Sequence, residues 1–207
     1  MINTRALRPR PTSWRGAALA VLLGPALAVP ALVVPALTGT AQAAPFRSSL
    51  SLQGVRFQVQ ASGAGSEQQL TLKVSRAGQP VQVIKEPIEG QVVGAEVEDL
   101  NSDGQPDLFV YIQSAGSGSY GSLKGWTSSR SGSLLPIHLQ ELPAKDAQGY
   151  RGHDQFAVVE TSLVRRFPLY RAGDTNARAT GGTRQVTYKL VPGEAMWQLK
   201  PVSSTQF

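Results

Sequence analysis

Period-two alternation constrains this chain more than any other feature. Val55, Phe57, Val59 and Ala61 alternate with Arg56, Gln58 and Gln60, and Leu70, Leu72 and Val74 alternate with Thr71, Lys73 and Ser75. A half-buried strand needs this pattern, because successive side chains leave opposite faces. Further strand candidates are Val81–Ile84, broken by Pro87, then Gln91–Val97, Leu123–Thr127 and Leu134–Leu142. Gln155–Glu160 and Leu163–Tyr170 follow, the second interrupted by Pro168. Leu108–Ile112 is apolar throughout, as expected of a strand covered on both faces. Pro136 marks 134–142 as an edge strand. The end of the chain reads as a hairpin, 184–190 and 196–200 around Pro192-Gly193. Turn clusters separate these runs, and no segment beyond about ten residues keeps a helical period. At most one helical turn fits within 146–155. The expectation is all-β: a single-domain antiparallel β-sandwich.

The N-terminus is different in kind. Arg5, Arg8, Arg10 and Arg15 precede an apolar stretch from Gly16 to about Leu37, and Ala41-Gln42-Ala43 closes it. That order describes a secretory signal peptide over 1–43, with the domain at 44–207. The interior prolines Pro25, Pro30 and Pro35 argue against a membrane anchor. The whole chain carries +6. Removing four arginines with the leader leaves a nearly neutral domain at +2, so the charge offers no case for nucleic acid. The remaining arginines, Arg165, Arg166, Arg171, Arg178 and Arg184, are scattered as on a solvated strand face. With no Cys at all, disulfides, thiolate metal sites and a Cys nucleophile are excluded. Export without Cys fits the bacterial periplasm.

Two loops hold residue types that do chemistry. Ser114-Ala115-Gly116-Ser117-Gly118-Ser119-Tyr120-Gly121-Ser122 follows the most apolar run. Its glycines match G-x-G-x-x-G formally, but a dinucleotide site needs a helix next, and a short strand follows instead. A plain Gly/Ser hairpin explains most of this composition. Tyr120 is the exception, a large aromatic among small donors, which is the make-up of a binding loop. The second loop, Asp99 to Asp107, reads D-x-N-x-D-G-x-x-D. Asp99, Asn101, Asp103 and Asp107 are candidate calcium ligands, oxygen donors at alternate positions around a turning Gly104. The same residues also make an ordinary Asx-rich turn. No remote ligand completes a site, so no metal or cofactor is assigned. Catalytic motifs are absent: no G-x-S-x-G elbow, no H-E-x-x-H and no P-loop.

Several segments together resemble one family. They are the 114–122 loop, Gly149–Glu160, Leu163–Pro168 and Gly181–Arg184, with Gly94–Val97 and Asp99–Asn101 fitting as well. In this order they are similar to the periplasmic inhibitors of invertebrate-type lysozyme. The resemblance implies a β-sandwich exported by Gram-negative bacteria and often homodimeric. It implies a non-enzyme that protects peptidoglycan by inserting a Ser-Gly-x-Tyr loop into the lysozyme cleft. Carried over, that loop is Ser117, Gly118, Ser119 and Tyr120, with Ser117 and Tyr120 as the inhibitory side chains. The expected partner is invertebrate-type lysozyme, with no nucleic acid and no membrane contact after the leader is removed. Two alternatives stand beside it. One is a calcium-stabilised envelope module with another protein or glycan ligand. The other is a cell-wall hydrolase built on a carboxylate pair.

Overall fold

The computed structural model describes residues 45–207, and the expected leader at 1–43 lies outside them. Four strands follow one another as an antiparallel meander: β1 (Phe46–Leu52), β2 (Val55–Ala64), β3 (Glu67–Arg76) and β4 (Gln82–Glu89). The alternation in sequence becomes a two-faced sheet. Val55, Phe57, Val59, Leu70 and Leu72 are buried on one face, and Arg56, Gln58 and Lys73 are exposed on the other. β1 was not legible as a strand. Its inward residues are only half-buried, so its apolar period is weak.

The second sheet holds β5 (Gln91–Glu98), β6 (Asp107–Gln113), β7 (Gly121–Ser128), β8 (Leu134–Leu139), β9 (Gln155–Val159), β10 (Ser162–Pro168), β11 (Thr183–Pro192) and β12 (Trp197–Gln206). Its order is β5-β6-β7-β8-β12-β11-β10-β9. All neighbours are antiparallel except β8 and β12, which pair in parallel from Ile137 to Leu139. This overturns the edge position expected from Pro136. Pro136 faces Trp126 of β7, and the β12 pairing begins only at Ile137, so no ladder bond is asked of the proline. β4 likewise runs through Pro87, tolerated because β4 is the true edge of the first sheet. A helical turn closes just before the 146–155 window, Ala147 N–H reaching Pro143 O at 3.1 Å, and a tighter turn, Tyr150 N–H to Ala147 O at 3.1 Å, falls within it.

β6 explains the architecture. Leu108, Val110 and Ile112 face the first sheet and join its core with Val92 and Trp126. Phe109 and Tyr111 face the other way, into a second core with Leu163, Phe167, Val186, Tyr188 and Leu199. The apolar run is therefore apolar because both faces are covered. The second sheet curls round that second core until its outer strands approach. Glu96 of β5 closes the gap, its Oε2 accepting the Val158 N–H of β9 at 2.7 Å and the Tyr111 hydroxyl at 2.5 Å. The fold is all-β, two packed sheets in a sandwich, the larger one nearly a barrel. Every strand and both cores lie within one compact unit over the described residues, 45–207. That unit has what a domain needs to fold without the residues before it.

Candidate inhibitory loop

The loop between β6 and β7 closes on itself first. Ser114 N–H donates to Tyr120 O at 2.8 Å, and Tyr120 N–H donates to Ser114 Oγ at 2.9 Å. Ser119 N–H reaches Gly116 O at 2.9 Å, with Ser119 at a φ of 44°. Two outside segments then brace it. His153 N–H donates to Gly118 O at 2.7 Å, and Asn176 Nδ2 donates to Ser117 O at 2.7 Å. The 149–154 segment approaches so closely that side chains are excluded at the contact. A Cβ on Gly152 would stand 2.0 Å from Gly118 O, and Gly152 has a φ of 92° that favours glycine anyway. A Cβ on Gly118 would stand 2.5 Å from the Tyr120 ring.

This packing fixes Tyr120. Its ring meets Tyr150 edge-on at 5.6 Å, yet half of the residue (50%) stays exposed. Ser117 is exposed beside it. Below the ring, a groove of about 670 Å³ separates Ser114, Gly116 and Tyr120 from Glu67 and Glu89 at the end of the first sheet. From Ser114 to Lys124 the chain carries no carboxylate.

The base of the loop rests on a buried ion pair. Arg165 Nε donates to Asp154 Oδ1 at 2.7 Å, with both side chains almost fully buried. Asp154 Oδ2 accepts the Gly121 N–H at 2.7 Å and the Tyr150 hydroxyl at 2.5 Å. Arg165 also donates to the Tyr150 oxygen at 2.8 Å and lies over the rings of Tyr150, Phe156 and Phe167. Burial works against the Arg165 charge, but the Asp154 carboxylate more than offsets it and holds the guanidinium above its ordinary value. Burial raises the Tyr150 hydroxyl, and donation to Asp154 raises it further, so it stays a proton donor.

The structure thus brings Ser117, Gly118, Ser119 and Tyr120 together with Tyr150, Asp154, Arg165 and Asn176. The second four were not recognised as site residues, and Arg165 corrects a reading. It is not on a solvated face; it is 7% exposed. The signal was present. Leu163, Arg165 and Phe167 share one strand phase, so Arg165 occupies a core position. Asn176 carried no local signal, because its contact with Ser117 is set by tertiary structure alone.

The Asp99–Asp107 loop has the geometry of the Asx-rich turn. Asp99 accepts the N–H groups of Asp103 at 3.0 Å and Gly104 at 2.9 Å. Asn101 and Asp103 bond each other and the N–H groups of Asp103 and Gln105. Asp107 turns inward, fully buried, and accepts the Leu100 N–H at 2.9 Å. Among the described residues no group of three or more His, Cys, Asp or Glu is placed to hold a metal ion.

A scan against protein-family models and a search of curated proteins return no match for this chain.

Proposed function

We propose that this protein inhibits an invertebrate-type lysozyme by placing the Ser117–Tyr120 loop in its active-site cleft. The observation that carries the reading is Tyr120: a half-exposed aromatic at the tip of a braced loop of neutral donors. The sequence resemblance points to the same four residues. Bracing matters because a preordered loop loses little freedom on binding.

The residue types suit the target. Such glycosidases flank the scissile bond with two carboxyl groups. A carboxylate on the inserted loop would be repelled, and the loop has none. The Ser117 and Tyr120 hydroxyls donate to an ionised carboxylate, a charge-assisted bond stronger than a neutral one. The ring fills a sugar subsite and excludes water. The loop itself offers no activated nucleophile, so the inhibitor blocks without reacting. In this reading the domain is periplasmic and shields peptidoglycan.

The test is a cell-wall lysis assay with the 44–207 domain titrated into invertebrate, chicken and goose lysozymes. Stoichiometric inhibition of the invertebrate enzyme is expected. Tyr120→Ala should weaken it by about 2–4 kcal/mol, roughly 30- to 900-fold. A loss under about tenfold removes Tyr120 from the role. Wild-type domain that inhibits no lysozyme removes the function itself.

A further inference from the structure

The outer face of the first sheet is a surface without a partner among the described residues. We infer that it docks on an anionic phospholipid bilayer. Strand pairing assembles the face. Arg56 stands in one cross-strand row, Lys73 beside Val83 in the next, and Arg47 and Lys85 at the ends of a third. Every other residue in these rows is Ser, Thr or Gln. At ordinary strand spacings the four cations span about 14 Å in each direction.

Among the described residues none of the four makes an ion pair or a side-chain hydrogen bond. The ion pairs of the described residues join Lys124 to Glu86, Arg165 to Asp154 and Arg184 to Asp146. The carboxylates on this face, Glu67 and Glu89, oppose each other two rows beyond Lys85. A patch of positive charge without ion-pair partners among the described residues complements a negative surface. Val83, 50% exposed, pairs with Lys73 and stands two residues before Lys85 on β4, and Val81, 60% exposed, immediately precedes that strand. Cations beside exposed aliphatic groups suit the headgroup–acyl boundary of a membrane better than a soluble polyanion.

Membrane docking departs from the sequence expectation of no membrane contact, and the experiment below decides between them. The cations come from four separate strands, and only strand register aligns them. The surface is independent of the Tyr120 loop, which lies at the end of the sheet and not on its face. A docked domain would keep the loop free.

The experiment is vesicle co-sedimentation of the 44–207 domain, the unit that holds both cores. Binding to phosphatidylglycerol-containing vesicles is expected, with little to pure phosphatidylcholine, and should fall as salt is raised. Each cation near such a surface contributes about fivefold in affinity, so Lys73→Gln with Lys85→Gln should weaken binding roughly thirtyfold. Val83→Ser should weaken it separately. All three side chains are exposed, so the unfolding transition serves as a control for an intact fold. Equal binding to both vesicle types overturns the inference, as does an unchanged double variant. Dextran sulfate binding as tightly as vesicles, indifferent to Val83→Ser, would assign the face to soluble polyanions and overturn it too.

Discussion

The ion pair under the loop allows stability and inhibition to be separated. In Asp154→Ala, Arg165 loses its only carboxylate while its side chain remains 9% exposed. Breaking a buried pair from one side costs about 3–5 kcal/mol, because the remaining charge is stranded. Arg165 keeps the Tyr150 oxygen and three aromatic faces, which places the loss near the lower end. About 3 kcal/mol in a domain of this size lowers Tm by roughly 6–12 °C. Urea unfolding and calorimetry would measure it. A loss under about 1 kcal/mol would refute the assignment of a buried, uncompensated charge.

The paired replacement sharpens the argument. Asp154→Leu with Arg165→Met removes both charges and fills the same space with apolar groups. Such exchanges are often neutral or stabilising, so part of the Tm should return, held back by the Gly121 N–H and the Tyr150 hydroxyl left without their acceptor. Inhibition should not return with it. Gly121 N–H still lacks the acceptor that Asp154 Oδ2 supplied, and an unmade bond there costs about 1–3 kcal/mol. The expected variant is a stable domain with a loosened loop, at least about fivefold weaker as an inhibitor. A double variant with wild-type inhibition would show that the ion pair supports the fold and not the loop.

Other expectations follow from the same geometry. Gly152→Ala should reduce inhibition at least about tenfold with the fold retained, since a hot-spot side chain is displaced; unchanged titration curves would show that the 149–154 contact does not position Tyr120. Asp107 is pushed up to about 7, first by burial, with Asp103 and Asp99 adding to it against the opposing Thr127 hydroxyl and Leu100 N–H. Its folded value lies above the ordinary 3.8, so the stability it contributes is complete below about pH 4 and is lost as pH rises through 7. Asp107→Asn should therefore match wild type near pH 4 and exceed it at pH 8 by up to about 4 kcal/mol, whereas a constant difference across that range would contradict a buried neutral carboxyl. Millimolar calcium should leave Tm within about 1 °C, and a rise of several degrees would favour the calcium-stabilised alternative.

What the sequence made legible was whatever depends on local phase. Alternation and short apolar runs between turns located eleven of the twelve strands, because each buries one face or both against a core. The misplacement of β8 has a non-local cause. Its parallel neighbour β12 comes from the end of the chain, and nothing between Leu134 and Leu142 encodes that pairing. The edge rule for proline failed there for a definable reason: Pro136 sits one residue outside the second ladder.

The loop follows the same division. Its Gly, Ser and Tyr could be read directly, because small donors around one aromatic are a local composition. Its support could not, because Asp154, Arg165 and Asn176 come from three later segments. Yet the strand phase already held part of the answer. An arginine between Leu163 and Phe167 on the same face must either break the core or bring a carboxylate with it. Asp154 is in phase with Phe156 and Val158, and it is that carboxylate. A charged residue in the buried phase of a strand is here the signal of a polar network beneath the candidate loop. Treating it as an exception to alternation hides one of the elements that hold the loop.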